Sequence, residues 1–104
     1  MNYYKQLERL IKSKKAKICI MGLGYIGLPI AIEFVKKGFF VYGFDTDAHR
    51  INNLTKANSY ITDISSAEIK PALKSKKFLQ TLNKSILKES DVIIICVPTP
   101  LRKK

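Results

Sequence analysis

Apolar residues recur at helical spacing over Tyr3–Lys12, where Leu7, Leu10 and Ile11 share one side and Lys and Glu lie between them. That spacing predicts a short amphipathic helix, set apart as residues 1–15 ahead of the main fold. Ala16–Met21 (AKICIM) is a compact run with β-branched Ile18 and Ile20 that stops at glycine, which predicts a buried strand. Tyr25–Lys37 returns to helical spacing through Ile26, Ile30, Ile32, Phe34 and Val35, and Gly38 supplies its stop. Phe39–Phe44 (FFVYGF) predicts a second strand. Asp47 then stands where an N-cap would, before a helix to about Ala57 with Ile51 and Leu54 inward.

Asn58–Ile64 has turn chemistry and predicts a loop. Ser65, Ser66 and Glu68 mark a capped helix start, with the helix running to about Lys77 around Pro71. Phe78–Leu82 predicts a short third strand, and Ser85–Ser90 a crossover helix of one or two turns. Asp91–Val97 (DVIIICV) is the clearest buried strand in the chain, closed by Pro98-Thr99-Pro100. Strands alternating with helices predict an α/β fold, a Rossmann-like parallel sheet with flanking helices. A full doubly wound sheet has about six strands. The fold is therefore expected to be partial over residues 16–104 and truncated after about the fourth strand.

Gly22-Leu23-Gly24-Tyr25-Ile26-Gly27 follows the first predicted strand and opens a helix. In that setting Gly22 permits a tight turn, Gly24 lets a diphosphate approach the backbone, and Gly27 lets helix and strand pack closely. The free N–H groups at the helix start then face an anion with the positive end of the helix dipole. Asp45 ends the second strand 18 residues after Gly27, where a carboxylate accepts from ribose hydroxyls. Its charge repels a 2′-phosphate, which favours NAD over NADP, while Arg50 partly offsets that preference. Thr99 follows the fourth strand beside the switch point of the sheet. It could offer its hydroxyl and N–H to the cofactor, or simply belong to a turn that ends the strand.

The chain has 104 residues with 19 Lys and Arg against 8 Asp and Glu, a net charge of +11. Such a balance suggests an anionic partner, but its distribution does not follow the candidate site. Residues 1–17 carry +5 and residues 70–88 carry +6, whereas residues 18–69 carry −1. Sixteen of the 19 cations are lysine, and arginine is the residue suited to bidentate base and phosphate contacts. No nucleic-acid motif accompanies them. The expectation is a solvated lysine face, with a basic nucleic-acid-binding module as the reading from another class.

Lys12–Lys17 followed by the uncharged stretch Ile18–Ile32 superficially resembles a secretion signal. Three glycines, Pro29 and the lack of a small-residue cleavage site argue against it. Cys19 and Cys96 sit inside apolar runs and read as buried thiols in a reducing compartment, so a cytoplasmic protein without a membrane partner is expected. His49 has no nucleophile or acid beside it in sequence and reads as a surface residue.

The runs GLGYIGLPIA, GFDTDAHRI, NSYITDI and DVIIICVPTPL together resemble the N-terminal part of the nucleotide-sugar dehydrogenases (UDP-glucose, GDP-mannose and UDP-N-acetylhexosamine members). Within that family the likeness is greatest to UDP-N-acetylglucosamine 6-dehydrogenases, and it covers about residues 16 to 101. The resemblance implies that Gly22, Gly24, Tyr25, Ile26 and Gly27 hold the NAD diphosphate. It also implies that Asp45 and Arg50 bind the adenosine end and that Thr99 lies near the nicotinamide. Asn58 stands where that family usually has glycine, and Asn83 where it has aspartate.

The family oxidises a sugar C6 alcohol to a carboxylate in two NAD-dependent steps, through a thiohemiacetal on a cysteine. By the resemblance, that cysteine and the sugar-binding groups lie beyond the part matched here, and neither Cys19 nor Cys96 corresponds to it. The expectation is an NAD-binding fragment without turnover of its own. The fourth strand, left as an open edge, is expected to promote self-association.

Overall fold

The computed structural model describes residues 2–62 and 64–96. Four strands, β1 (Lys17–Met21), β2 (Phe40–Phe44), β3 (Phe78–Thr81) and β4 (Val92–Ile95), form one sheet in the order β3-β2-β1-β4. All three pairings are parallel. The helices are α1 (Tyr3–Lys12), α2 (Gly27–Lys36), α3 (Ala48–Thr55) and α4 (Ser66–Lys74), with a 3₁₀ helix over Lys84–Glu89. The order reverses between β3 and β4, so the switch point lies beyond the C-terminal ends of β1 and β4, as in a Rossmann fold.

Alternation along the strands sorts side chains onto two unequal faces. Ile18, Ile20, Val41 and Phe78 meet Leu28, Ala31, Ile32 and Val35 of α2, Ile51 and Leu54 of α3, and Ile69 and Ala72 of α4. Ile20 is fully buried at the centre of this core, and truncating such a side chain to alanine costs about 2–5 kcal/mol. On the other face Cys19, Tyr42 and Phe44 are covered by Ile86 of the 3₁₀ helix. Burial raises the Cys19 thiol pKa, partly countered by a hydrogen bond with Ser90, which suits an inert core thiol.

Fourth-strand burial differs from the expectation. Ile93 and Ile95 are 44% and 67% exposed, because among the described residues only the short 3₁₀ helix stands on their side of the sheet. The expected crossover helix is this 3₁₀ turn, started by the Asn83 side chain, which accepts from the Ser85 amide at 2.9 Å.

Local signals account for most element ends. Asn2 caps α1, Asp47 caps α3, and Ser65 with Glu68 forms a reciprocal capping box at α4. The predicted stop of α4 at Lys77 comes three residues early, since Lys76 adopts a left-handed φ of 61°. Ala57 likewise takes φ 60° after α3, so the left-handed position falls one residue before Asn58. No described helix is long and apolar enough to cross a membrane.

Candidate functional site

The turn between β1 and α2 is set by two glycines with separate steric reasons. Gly22 has φ 102°, open to glycine and strained for other residues, and its N–H donates to Phe44 O at 2.8 Å. A Cβ on Gly27 would lie 1.7 Å from the Gly22 carbonyl oxygen, so the helix start and the strand end touch backbone to backbone. Gly24 is different. A Cβ there would meet nothing closer than the Arg50 guanidinium at 3.6 Å, an ordinary contact. Folding therefore does not require glycine at position 24, and its effect is to keep the space in front of the backbone open.

The regular helix begins at Gly27 rather than at Tyr25, because Pro29 has no N–H to donate to the Tyr25 carbonyl and so interrupts the first turn of the ladder. Leu28 N–H reaches back to Gly24 O at 2.9 Å, but the N–H groups of Gly24, Tyr25, Ile26 and Gly27 have no acceptor among the described residues. Four donors at the positive end of a helix make a ready anion cradle. Tyr25 and Ile26 carry their side chains outward, 71% and 55% exposed, and so contribute to the site through their backbone.

Across the mouth, Asp45 is only 6% exposed and its carboxylate is held from three sides. Oδ2 accepts Leu23 N–H at 2.8 Å and Arg50 Nη1–H at 3.1 Å, and Oδ1 accepts Asp47 N–H at 2.8 Å. Burial pushes the Asp45 pKa up, but the two amides and Arg50 outweigh it and leave the carboxyl below its ordinary range. It is thus ionised, with an acceptor position left on Oδ1. Asp47 does the capping, accepting from His49 N–H at 2.9 Å, as its sequence position predicts.

These groups surround a cavity of about 210 Å³, lined by Gly22, Gly24, Phe44, Asp45, Thr46, Arg50 and Cys96. A larger cleft of about 460 Å³ beside α1, lined by Gln6, Arg9, Leu10, Ser13 and Lys15, gathers no comparable set of free backbone donors facing a buried carboxylate. The smaller one has the chemistry of a nucleotide site. Its glycine edge fits a diphosphate and its Asp45 edge fits a ribose diol.

Of the residues singled out in the sequence, Gly22, Gly24, Asp45 and Arg50 line this one cavity, with Tyr25, Ile26 and Gly27 on the same turn. Thr99, with the Pro98-Thr99-Pro100 turn, lies outside the described residues. Cys96, read as core, is half-buried and borders the cavity, because its N–H pairs with Met21 O at 2.7 Å where β1 ends. Tyr60 escaped the sequence reading. Its hydroxyl donates to Leu23 O at 2.6 Å, and the Arg50 guanidinium carbon lies 6.0 Å from its ring centre. It lies in the NSYITDI run, with no role of its own assigned from sequence. His49 is exposed, and no described group of three or more His, Cys, Asp or Glu could hold a metal.

Residues 16–104 match the model of the UDP-glucose/GDP-mannose dehydrogenase family, NAD binding domain. A UDP-N-acetyl-D-glucosamine 6-dehydrogenase of Pseudomonas aeruginosa is 39% identical over 88 residues, covering 85% of this chain and 20% of that protein. A UDP-N-acetyl-D-mannosamine dehydrogenase of Pyrococcus horikoshii is 43% identical over 89 residues, covering 82% and 21%. Among solved structures, a ternary complex of GDP-mannose dehydrogenase from Pseudomonas aeruginosa superposes with a TM-score of 0.77 at 31% identity, over 83% of this chain and 20% of that one. The chain thus spans about a fifth of the length of these relatives. By the family match and the fold together, this chain belongs to the UDP-glucose/GDP-mannose dehydrogenase family, whose NAD-binding domain it carries.

Proposed function

We propose that this chain supplies the NAD-binding part of a dehydrogenase that oxidises the C6 alcohol of a UDP-N-acetylhexosamine, with UDP-N-acetylglucosamine as the first substrate to test. UDP-N-acetylmannosamine and UDP-glucose are the alternatives. The substrate class is supported by the names of the relatives, which include both N-acetylhexosamine enzymes. The cytoplasm is the proposed compartment, supported by two unpaired thiols.

The observation that carries the cofactor role is Gly24. It is a glycine that folding does not require, in a turn with four unpaired N–H groups, opposite a buried ionised carboxylate. In this reading the amides of Gly24, Tyr25, Ile26 and Gly27 take the diphosphate, and Gly22 and Gly27 shape the turn. Asp45 Oδ1 accepts from the adenosine ribose, Arg50 borders the adenosine end, and Thr99 is assigned to the nicotinamide side. NAD, when bound, supplies the hydride acceptor. The residues of this chain bind and orient it and take no proton from the sugar.

Titration of the 104-residue chain with NAD, NADP and a random oligonucleotide in rising salt tests this role. A glycine-turn site keeps its preference for NAD, whereas phosphate-driven binding collapses as salt rises. Binding of the oligonucleotide alone, lost with salt, would overturn the reading. The same chain mixed with NAD and UDP-N-acetylglucosamine is expected to form no NADH, and sustained NADH formation would overturn the assignment of the sugar chemistry to other residues.

A further inference from the structure

We infer that Tyr60 is a positioning residue for the cofactor mouth: its hydroxyl aims the first amide of the anion cradle, and its ring helps keep Arg50 on Asp45 and so away from a 2′-phosphate. This deepens the NAD reading above and rests on it.

Leu23 is held at both of its polar ends. Its N–H goes to Asp45 Oδ2 at 2.8 Å, and its carbonyl accepts the Tyr60 hydroxyl at 2.6 Å. The Leu23 carbonyl and the Gly24 N–H belong to one planar trans peptide, so they point in opposite directions. A hydrogen bond that fixes the carbonyl therefore fixes the direction of the Gly24 N–H, the first unpaired donor of the turn. The two residues are 37 positions apart, so this hydrogen bond ties the loop after α3 to the loop after β1. Burial raises the Tyr60 pKa, so the hydroxyl keeps its proton and remains a donor.

The ring of Tyr60 acts on the other wall. Arg50 places Nη1 3.1 Å from Asp45 Oδ2, with its guanidinium carbon 6.0 Å from the Tyr60 ring centre. A guanidinium engaged by a carboxylate on one side and an aromatic face on the other has less freedom to turn toward a phosphate on the ribose. Arg50 alone reads as a residue that could admit NADP. Arg50 with Tyr60 reads as one held back from doing so.

Two variants of the 104-residue chain separate these roles. Tyr60→Phe removes the hydroxyl and keeps the ring, and Tyr60→Leu removes both. In Tyr60→Phe, amide exchange at Leu23, whose N–H is held by Asp45, is expected to rise about tenfold and NAD binding to weaken about fivefold. Its ratio of NAD to NADP affinity should stay that of the parent chain. In Tyr60→Leu the ratio is expected to fall about threefold toward NADP, as Arg50 is released. Unchanged exchange in Tyr60→Phe, or an unchanged ratio in Tyr60→Leu, would overturn the inference. Exchange rising evenly across the sheet, with both nucleotides weakened alike, would also overturn it, because that is loss of stability alone. If the parent chain binds neither nucleotide, the cofactor reading and the selectivity role fail together. Exchange at Leu23, which needs no ligand, then decides the hold of Tyr60 on the turn by itself.

Discussion

The Asp45 carboxylate accepts the Leu23 amide at 2.8 Å, tying the end of β2 to the turn that follows β1. One side chain therefore closes the turn and presents an acceptor to the cavity. Binding and stability are joined in that residue, and its substitution should affect both.

Asp45→Asn keeps the shape, removes the charge and turns one oxygen into a donor facing the Leu23 or Asp47 amide. We expect a loss of about 2 kcal/mol in stability and at least a tenfold loss in NAD affinity, read by denaturant melts and titration. The pH dependence follows from the lowered pKa. Its contribution is complete above the ordinary value near 3.8 and is lost as pH falls through the lower folded value. The parent chain should lose stability in acid more steeply than Asp45→Asn, and parallel curves for the two would count against this account.

Gly24→Ala and Gly27→Ala should part company. At Gly27 the new Cβ meets backbone 1.7 Å away, and a cost of about 3 kcal/mol or more is expected, enough to unfold a marginal domain. At Gly24 the nearest atom is 3.6 Å away, so Gly24→Ala should fold normally yet bind NAD at least tenfold more weakly. A normal melting curve with normal binding would remove the support that Gly24 gives to the cofactor role.

Lys76 and Ala57 sit at φ 61° and 60°, each just past the residue that caps α4 or α3. Left-handed backbone is unfavourable for a side-chain-bearing residue, so Lys76→Gly and Ala57→Gly should each stabilise the chain by about 0.5–1 kcal/mol. Melting temperature should rise about 3–6 °C in each. Lys14 has φ 64° as well, but its Nζ donates to Lys37 O at 2.8 Å, and losing that bond should cancel the gain in Lys14→Gly.

Ile93 and Ile95 are exposed, and β4 has no described strand on its outer side. We expect self-association through this edge, opposed at low salt by the charge of +11 and promoted as salt screens it. Light scattering should show mass rising with ionic strength, and a monomer at high concentration in high salt would refute it.

The parallel sheet and the glycine turn were legible because they depend on short-range pattern: an apolar run, a glycine, a helical period. Asp45 was legible through its distance from Gly27, and Asp47 through its place before α3. The true start of α2 was less so, since Tyr25 and Ile26 continue the apolar pattern while Pro29 lacks the N–H that would pair with the Tyr25 carbonyl. Tyr60 could not be read as part of the site, because its partner Leu23 is remote in sequence and contributes a backbone carbonyl, which no residue type announces. The exposure of Ile93 and Ile95 was hidden for a similar reason, since burial of a strand depends on what stands over it.

The strand order has a kinetic consequence. The pairing of β1 with β2 brings together residues from neighbouring segments, but Lys17 N–H meets Asp91 Oδ2 across 74 positions. Closing that loop costs the most chain entropy of any strand pairing in the sheet. Cys96, on the wall of the cavity, reaches its place only with it. The cavity is therefore completed late in folding, and a nucleotide added during refolding should slow the loss of β4 more than it hastens the first collapse.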